Sequence, residues 1–260
     1  MENSNFPQKY LSLIATNAAE AHLASPALTI AEEGELRIKY APFDHVTLNA
    51  RLVIVGITPG ATQANAALKA SRAAILAGAD LPDALVRAKS HASFSGPMRA
   101  NLVAMLDAIG VAEYFSLSSS EQLFEADSEQ VHFTSALRYP VFRQGKNYNG
   151  TPNMLKTPLL RQMIDTCLAE EARQLPEALW LPLGPKAGEA LQHLVQCGLL
   201  QGDRVLAGMP HPSGANAERV AVFLGRKSPQ AASRQTKGAA LCTAFKRLGK
   251  QISELKGGRQ

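Results

Sequence analysis

The apolar run Leu52-Val53-Ile54-Val55-Gly56-Ile57 constrains the fold more than any other stretch of the 260 residues. It is continuous, largely β-branched, and shows no polar alternation. A strand of that kind needs cover on both faces, as in the interior of a parallel sheet. Parallel neighbours cannot be joined by tight hairpins and need crossovers, usually helices. The run stops at Thr58-Pro59-Gly60-Ala61-Thr62, a turn signal. An Ala-rich helical stretch follows from about Gln63 to Leu76.

The alternation recurs downstream. Helices are predicted over 81–92 and 97–110, the second with Pro97 in its first turn and Gly110 at its end. Residues 131–142 (VHFTSALRYPVF) read as a strand running into the loop RQGKNYNGTP. A long helix over about 152–173, a strand at 178–184, a helix at 185–197, a strand at 204–208 and a helix at 216–224 complete the pattern. Upstream, 9–24 reads as a helix, and Leu36, Ile38 and Tyr40 alternate in a short strand that Pro42 ends. This order predicts an α/β fold: a three-layer α/β/α sandwich around a central, mostly parallel four-stranded sheet, in one domain over residues 1–225. A composition 46% hydrophobic supplies enough apolar residues for such a core. In sheets of this kind sites lie at the carboxyl ends of the strands, which singles out loops 56–62, 135–150 and 210–216.

Charge is unevenly placed. The whole chain carries +5, but residues 226–260 hold nine Lys or Arg against the single acid Glu254, a net +8, and the rest is at −3. Residues 226–260 read as a basic linker and an amphipathic helix over 238–254. A basic arm on a mildly acidic body points to a polyanionic partner. No apolar run approaches the ~18 residues of a membrane span. The start, MENSNFPQKY, lacks a basic segment followed by an apolar one, so a cytoplasmic protein is expected. Cys167, Cys197 and Cys242 are too few and too widely spaced for a disulfide framework, a structural zinc site or a four-cysteine iron–sulfur cluster. The histidines show no metal-ligand spacing, and no metal or other cofactor is expected.

Two loops carry the candidate chemistry. Gly56-Ile57-Thr58-Pro59-Gly60 is a rigid turn between a buried strand and a helix, where backbone can approach a ligand closely. It is neither a phosphate-binding P-loop, lacking Gly-Lys-Ser/Thr, nor the GxGxxG dinucleotide pattern. His211-Pro212-Ser213-Gly214-Ala215-Asn216 also follows a strand and opens a helix. A neutral imidazole held there donates a hydrogen bond to negative charge developing on a leaving group.

Taken together and in this order, GITPG and HPSGAN resemble the uracil-DNA glycosylase superfamily. There a motif such as GINPG, GEAPG or GQDPYH follows the first core strand, and HPS or NPSG follows the last. Ser93-Phe94-Ser95-Gly96 is similar to the family's PFVG segment, Thr134-Ser135-Ala136-Leu137-Arg138 to TNAVK, and Leu183-Gly184-Pro185-Lys186-Ala187 to LGxxA. The resemblance covers about residues 36–225. It implies a uracil-DNA glycosylase-like fold and a monofunctional enzyme that flips a pyrimidine out of DNA and hydrolyses its N-glycosidic bond. His211 would stabilise charge on the base O2, and Thr58 occupies the position that handles the attacking water. Gly56, Ile57, Pro59 and Gly60 would frame sugar and water. Phe94 would stack on the flipped base and Ser135 would read it. Ser213, Gly214, Asn216 and Arg219 would hold a DNA phosphate, with Arg143 and Lys146 reaching DNA or a sugar substituent from the 143–152 loop. The expected partner is DNA and the expected state a monomer.

Two positions depart from the family. Thr58 stands where Asp or Asn is usual, and a threonine hydroxyl is no general base near pH 7. Asp44, Gln63 and Asn149 are the other candidates for that role. Ser135 stands where an Asn pairs with the uracil edge, which frees space and weakens discrimination of uracil from cytosine. A bulky or cytosine-like modified pyrimidine is therefore the favoured substrate, glucosylated hydroxymethylcytosine of phage DNA in anti-phage defence being a fitting case. Uracil excision in repair and a catalytically silent DNA-binding member are the alternatives. A hydrolase of small nucleosides or phosphate esters would fit the fold but lacks a recognisable nucleophile pair or carboxylate dyad.

Overall fold

The computed structural model describes residues 6–92, 96–125 and 128–257. Its elements in the first part of the chain are α1 (Phe6–Thr16), β1 (Thr29–Glu33), β2 (Leu36–Lys39), β3 (Leu52–Gly56), α2 (Ala61–Leu76), α3 (Leu81–Ala92), α4 (Gly96–Ala108) and α5 (Val111–Phe115). The rest comprises β4 (Val131–Ser135), β5 (Val141–Arg143), β6 (Lys146–Asn147), α6 (Pro158–Met163), α7 (Ala169–Gln174), β7 (Leu179–Pro182), α8 (Pro185–Gln196), α9 (Ala217–Phe223) and α10 (Gly238–Gly257). The fold is mixed α/β, with one parallel and one antiparallel sheet. No helix among the described residues is long and apolar enough to cross a membrane. The chain divides into two compact units. Unit 1 is Met1–Thr47, Gly56–Ser93 and Phe133–Gln174; unit 2 is Leu48–Val55, Phe94–His132 and Leu175–Gln260.

Unit 2 carries the parallel pairing. Leu52–Val55 of β3 are all buried, as are all four residues of β7, and the two strands run parallel from Leu52↔Leu179 to Val55↔Pro182. The sheet order is β4-β3-β7. Continuous apolar sequence thus becomes strand buried on both faces, as expected. The expected four-stranded sheet is not formed, however. Residues 204–208 give one parallel bridge, Trp180↔Val205, and a bond from Leu206 N–H to Trp180 O at 2.8 Å. α10 covers the outer edge of that segment. Its Gln251 side chain donates to Asp203 O at 2.7 Å and Val205 O at 3.3 Å, and Arg247 donates to Ala207 O. These side chains satisfy carbonyls that a further strand would otherwise pair. The basic C-terminal helix is therefore stitched into unit 2, with Leu248 and Ile252 buried.

Gly208 sits under α10 with φ +114°, and a Cβ there would lie 2.9 Å from the Ala244 Cβ and 3.0 Å from an Arg247 guanidinium nitrogen. Gly208→Ala combines a disfavoured backbone with a clash. It should destabilise unit 2 by about 1–3 kcal/mol and speed amide exchange along α10. Exchange unchanged in α10 would show that the helix docks without Gly208.

Unit 1 carries the antiparallel sheet, order β1-β2-β5-β6. The strand expected from Leu36, Ile38 and Tyr40 is β2, whereas patterning missed β1, Thr-Ile-Ala-Glu-Glu with no buried face, and β6, which has only two residues. The single strand expected over 131–142 is two strands in different sheets. Between them, Ala136 and Leu137 donate to Gly56 O and Ile57 O, both at 2.9 Å, and Pro140 offers no N–H to continue a ladder. The chain then re-pairs as β5 against β2. The helix expected at 152–173 starts later, at Pro158, and passes through a π turn at Ile164–Leu168. The helix expected over 9–24 ends at Thr16, because Asn17 accepts the Ala19 N–H and caps a separate short turn.

Candidate functional site

The second motif lies in unit 2. Leu183 N–H donates to Val55 O at 2.9 Å and Gly184 N–H to Met209 O at 3.0 Å, so the ends of β3 and β7 lead directly to the loop that begins at Pro210. That loop lies at the carboxyl end of the parallel strands, where the sequence placed it. The Ser213 N–H donates to His211 Nδ1 at 3.2 Å. A backbone N–H can only donate, so Nδ1 is unprotonated and the neutral ring carries its hydrogen on Nε2. Burial lowers the imidazole pKa and favours that neutral form. His211 is thus a half-buried, fixed-tautomer donor. The loop is braced by Asn101 of α4, whose amide donates to Pro212 O at 3.0 Å. Asn101 lies inside an ordinary helical pattern, and nothing in its sequence surroundings signals this role.

The rest of the motif is knitted to itself. Asn216 donates to Ser213 Oγ at 3.0 Å, and Arg219 reaches Asn216 Oδ1 and, at 3.2 Å, Gln235 O. Glu218 accepts from Lys227, Ser233 and Thr236, and these bonds hold its carboxyl well below the usual carboxylate range. Gly214 is exposed. Ser213, Asn216 and Arg219 are consequently one connected group.

The first motif lies in unit 1, together with Ser135. A Cβ on Gly56 would sit 3.4 Å from Ser135 Oγ, an ordinary contact distance, so that hydroxyl lies against the turn. Ile57 and Gly60 are half-buried and Pro59 is buried. Gln63 accepts the Gly60 N–H at 3.3 Å, and Asn147 accepts the Ala61 N–H at 3.1 Å, fixing the start of α2. Thr58 has a bracing role: its hydroxyl donates to Tyr139 O at 3.0 Å and accepts from Val141 N–H at 3.1 Å. Its one hydrogen is committed to backbone. Arg143 is paired with Glu35 at 2.9 Å in the β5–β6 hairpin, and Lys146 is exposed there. Phe94 lies outside the described residues.

Unit 1 also holds a buried polar group that the sequence only hinted at. Asp44 accepts from Tyr40 OH at 2.9 Å and from Tyr139 OH, and burial raises its pKa. Lys89 donates to the backbone oxygens of His45 at 2.5 Å and Phe43 at 3.5 Å. Burial pulls Lys89 down to about 8, outweighing the attraction of Glu171 and Asp44. Between pH 8 and 10 the folded chain therefore sheds a proton that the unfolded chain keeps, and stability should rise with pH. Above 10 the Tyr40 and Tyr139 phenols, raised by burial, act in the opposite sense. Urea midpoints measured across this window should climb in the wild type and flatten in Lys89→Met. An equal slope in both would remove Lys89 as the cause.

Among the described residues no group of three or more His, Cys, Asp or Glu side chains is arranged to hold a metal. No family model matches the chain, and no solved structure matches it. A curated relative does: it is 34% identical over 235 residues to "Uncharacterized protein YoxB" of Bacillus subtilis (strain 168), covering 89% of this chain and 91% of that protein. At that identity, over nearly the whole of both chains, this protein belongs to the same family as B. subtilis YoxB.

Proposed function

We propose that the protein is a monofunctional DNA glycosylase, with the uracil-DNA glycosylase-like sandwich fold, acting as a monomer in the cytoplasm. The observation that carries the reading is His211, a neutral imidazole whose Nε2–H is left to donate from a braced loop at the carboxyl end of the parallel strands. Departure of a pyrimidine leaves the bonding electron pair on the base, and O2 takes much of the charge. A preorganised donor at O2 lowers that barrier without transferring a proton. Water then adds to the sugar carbon, loses its proton to solvent or a nearby base, and leaves an abasic site. Thr58, with its hydroxyl bound to backbone, positions the turn and does not activate the water. Ser213, Asn216 and Arg219 grip the DNA phosphates, and the basic 226–260 segment adds salt-dependent affinity.

The small Ser135 hydroxyl, close against Gly56, favours a bulky or cytosine-like pyrimidine over uracil. The test is alkali-induced strand cleavage at abasic sites in duplexes bearing uracil, hydroxymethylcytosine or its glucosylated form. Cleavage of the modified DNA alone is expected. Cleavage of uracil would make this an ordinary repair enzyme. Binding without cleavage of any substrate would support the silent DNA-binding reading, which the engaged Thr58 hydroxyl favours.

A further inference from the structure

A cleft of about 750 Å³ in unit 1 includes His22, Leu36, Arg37, Lys39, Asn65 and Phe142 in its lining. Its volume falls within the ~300–1,000 Å³ of small-ligand sites. The lining also holds Glu32 and Glu35, each tied to an arginine: Glu32 to Arg37, and Glu35 to Arg143. Lys39 is left over. It is only 7% exposed, and its Nζ donates to the carbonyl oxygens of Leu23 and Ser25. Among the described residues no carboxylate forms an ion pair with it. An ammonium has three N–H groups, and two are used. Burial and the nearby Arg37 charge lower its pKa, and the Glu32 carboxylate works in the opposite sense.

Two neighbours are fixed as donors on the same segment. Leu23 N–H donates to Asn65 Oδ1 at 2.9 Å, which commits the amide oxygen to Leu23 and leaves the NH2 group for other partners. Ala24 N–H donates to His22 Nδ1 at 3.1 Å, so the neutral His22 ring carries its hydrogen on Nε2. Asn65 holds the N–H of Leu23, Lys39 holds its carbonyl, and His22 is its chain neighbour. Three donors are thereby gathered around one residue. A carboxylate offers two oxygens to such a set, whereas a phosphate monoester offers three.

We infer that this cleft binds a phosphate monoester of nucleotide size, its oxygens taking the donors of Lys39, Asn65 and His22 and its body lying against Leu36 and Phe142. A free nucleotide and the phosphorylated end of a DNA strand present the same chemistry. The inference is independent of the glycosylase reading, and its test measures no activity. Full-length protein is titrated calorimetrically with deoxycytidine monophosphate, with a short 5′-phosphorylated oligodeoxynucleotide, and with uncharged deoxycytidine. A phosphate-bearing probe should bind, deoxycytidine should not, and amide exchange at 22–25 should slow on binding. Tighter binding of the mononucleotide identifies a small-molecule site, and tighter binding of the oligonucleotide a DNA-end site. Lys39→Met should weaken binding about tenfold or more. His22→Ala, at an exposed position, should weaken it less and leave the fold intact. No binding of either phosphate probe at millimolar concentration, or wild-type affinity in His22→Ala together with unchanged exchange at 22–25, would overturn the inference even if Lys39→Met fails to fold.

Discussion

On the proposed glycosylase reading, replacing His211 with alanine is expected to slow base release by about 10²–10³-fold, or ~2.7–4 kcal/mol of transition-state stabilisation, with the fold preserved. The ring is half-buried, and among the described residues its one bond is the acceptance of the Ser213 N–H at 3.2 Å. Water can take over that N–H at a loop. The loss should therefore fall on catalysis. A donor that matters only as charge develops lowers kcat and kcat/KM together, so binding of uncleaved DNA should hardly change. His211→Gln keeps an N–H donor and should recover part of the rate. Single-turnover cleavage of whichever DNA the wild type accepts gives the answer. Equal rates for wild type and alanine variant would move the leaving-group role to another residue.

A comparable effect on stability is expected in unit 1. Arg138 donates twice to Glu171 Oε1, at 2.7 and 3.0 Å, and once to Cys167 O at 3.1 Å. The pair is well buried, with side-chain exposures of 13% and 1%. Glu171→Ala would leave the guanidinium desolvated without its principal carboxylate, at a cost of about 3–5 kcal/mol. The charge of Asp44 also favours the Arg138 cation, so the lower end of that range is expected. The double variant Arg138→Met, Glu171→Leu removes both charges and should recover most of the loss. Urea denaturation followed by hydrogen exchange in the π turn and α7 would report it. A single-variant loss below about 1 kcal/mol would mean that the pair is a weak contributor.

The sequence made the parallel elements legible wherever burial was two-sided. β3 and β7 were readable as strands because their residues are apolar without alternation, and α8 because Gly184-Pro185 and Gly198 punctuate an amphipathic stretch. Of the antiparallel sheet only β2 was legible as a separate strand, from the alternation of Leu36, Ile38 and Tyr40. The sheet's edge strands are short and charged, and its register depends on contacts far apart in sequence, such as Leu36↔Arg143. Of the strand expected at 204–208 only the Trp180↔Val205 bridge forms, and α10 supplies side-chain donors to its outer edge. Within the candidate site, His211, Ser213 and Asn216 were singled out from their loop. The donor state of His211 came only from its bond to Ser213, and the engagement of Thr58 only from the folded backbone of Tyr139 and Val141. Asn101 had no signal at all, because a bracing amide inside a helix resembles any surface Asn.

The threading of the chain has a consequence for synthesis on the ribosome. Unit 2 draws Leu48–Val55 from early in the chain and Leu175–Gln260 from its last third. The four buried residues of β3 therefore emerge long before β7, their parallel partner, and longer still before α10 seals the edge beside Val205. Until then a flat, uncharged, β-branched segment has no native neighbour on one side, the kind of segment that pairs with copies of itself. Nascent chains of this protein should thus lean on chaperones through most of their translation, and slowing translation after residue 60 should lower the soluble yield more than slowing it after residue 210.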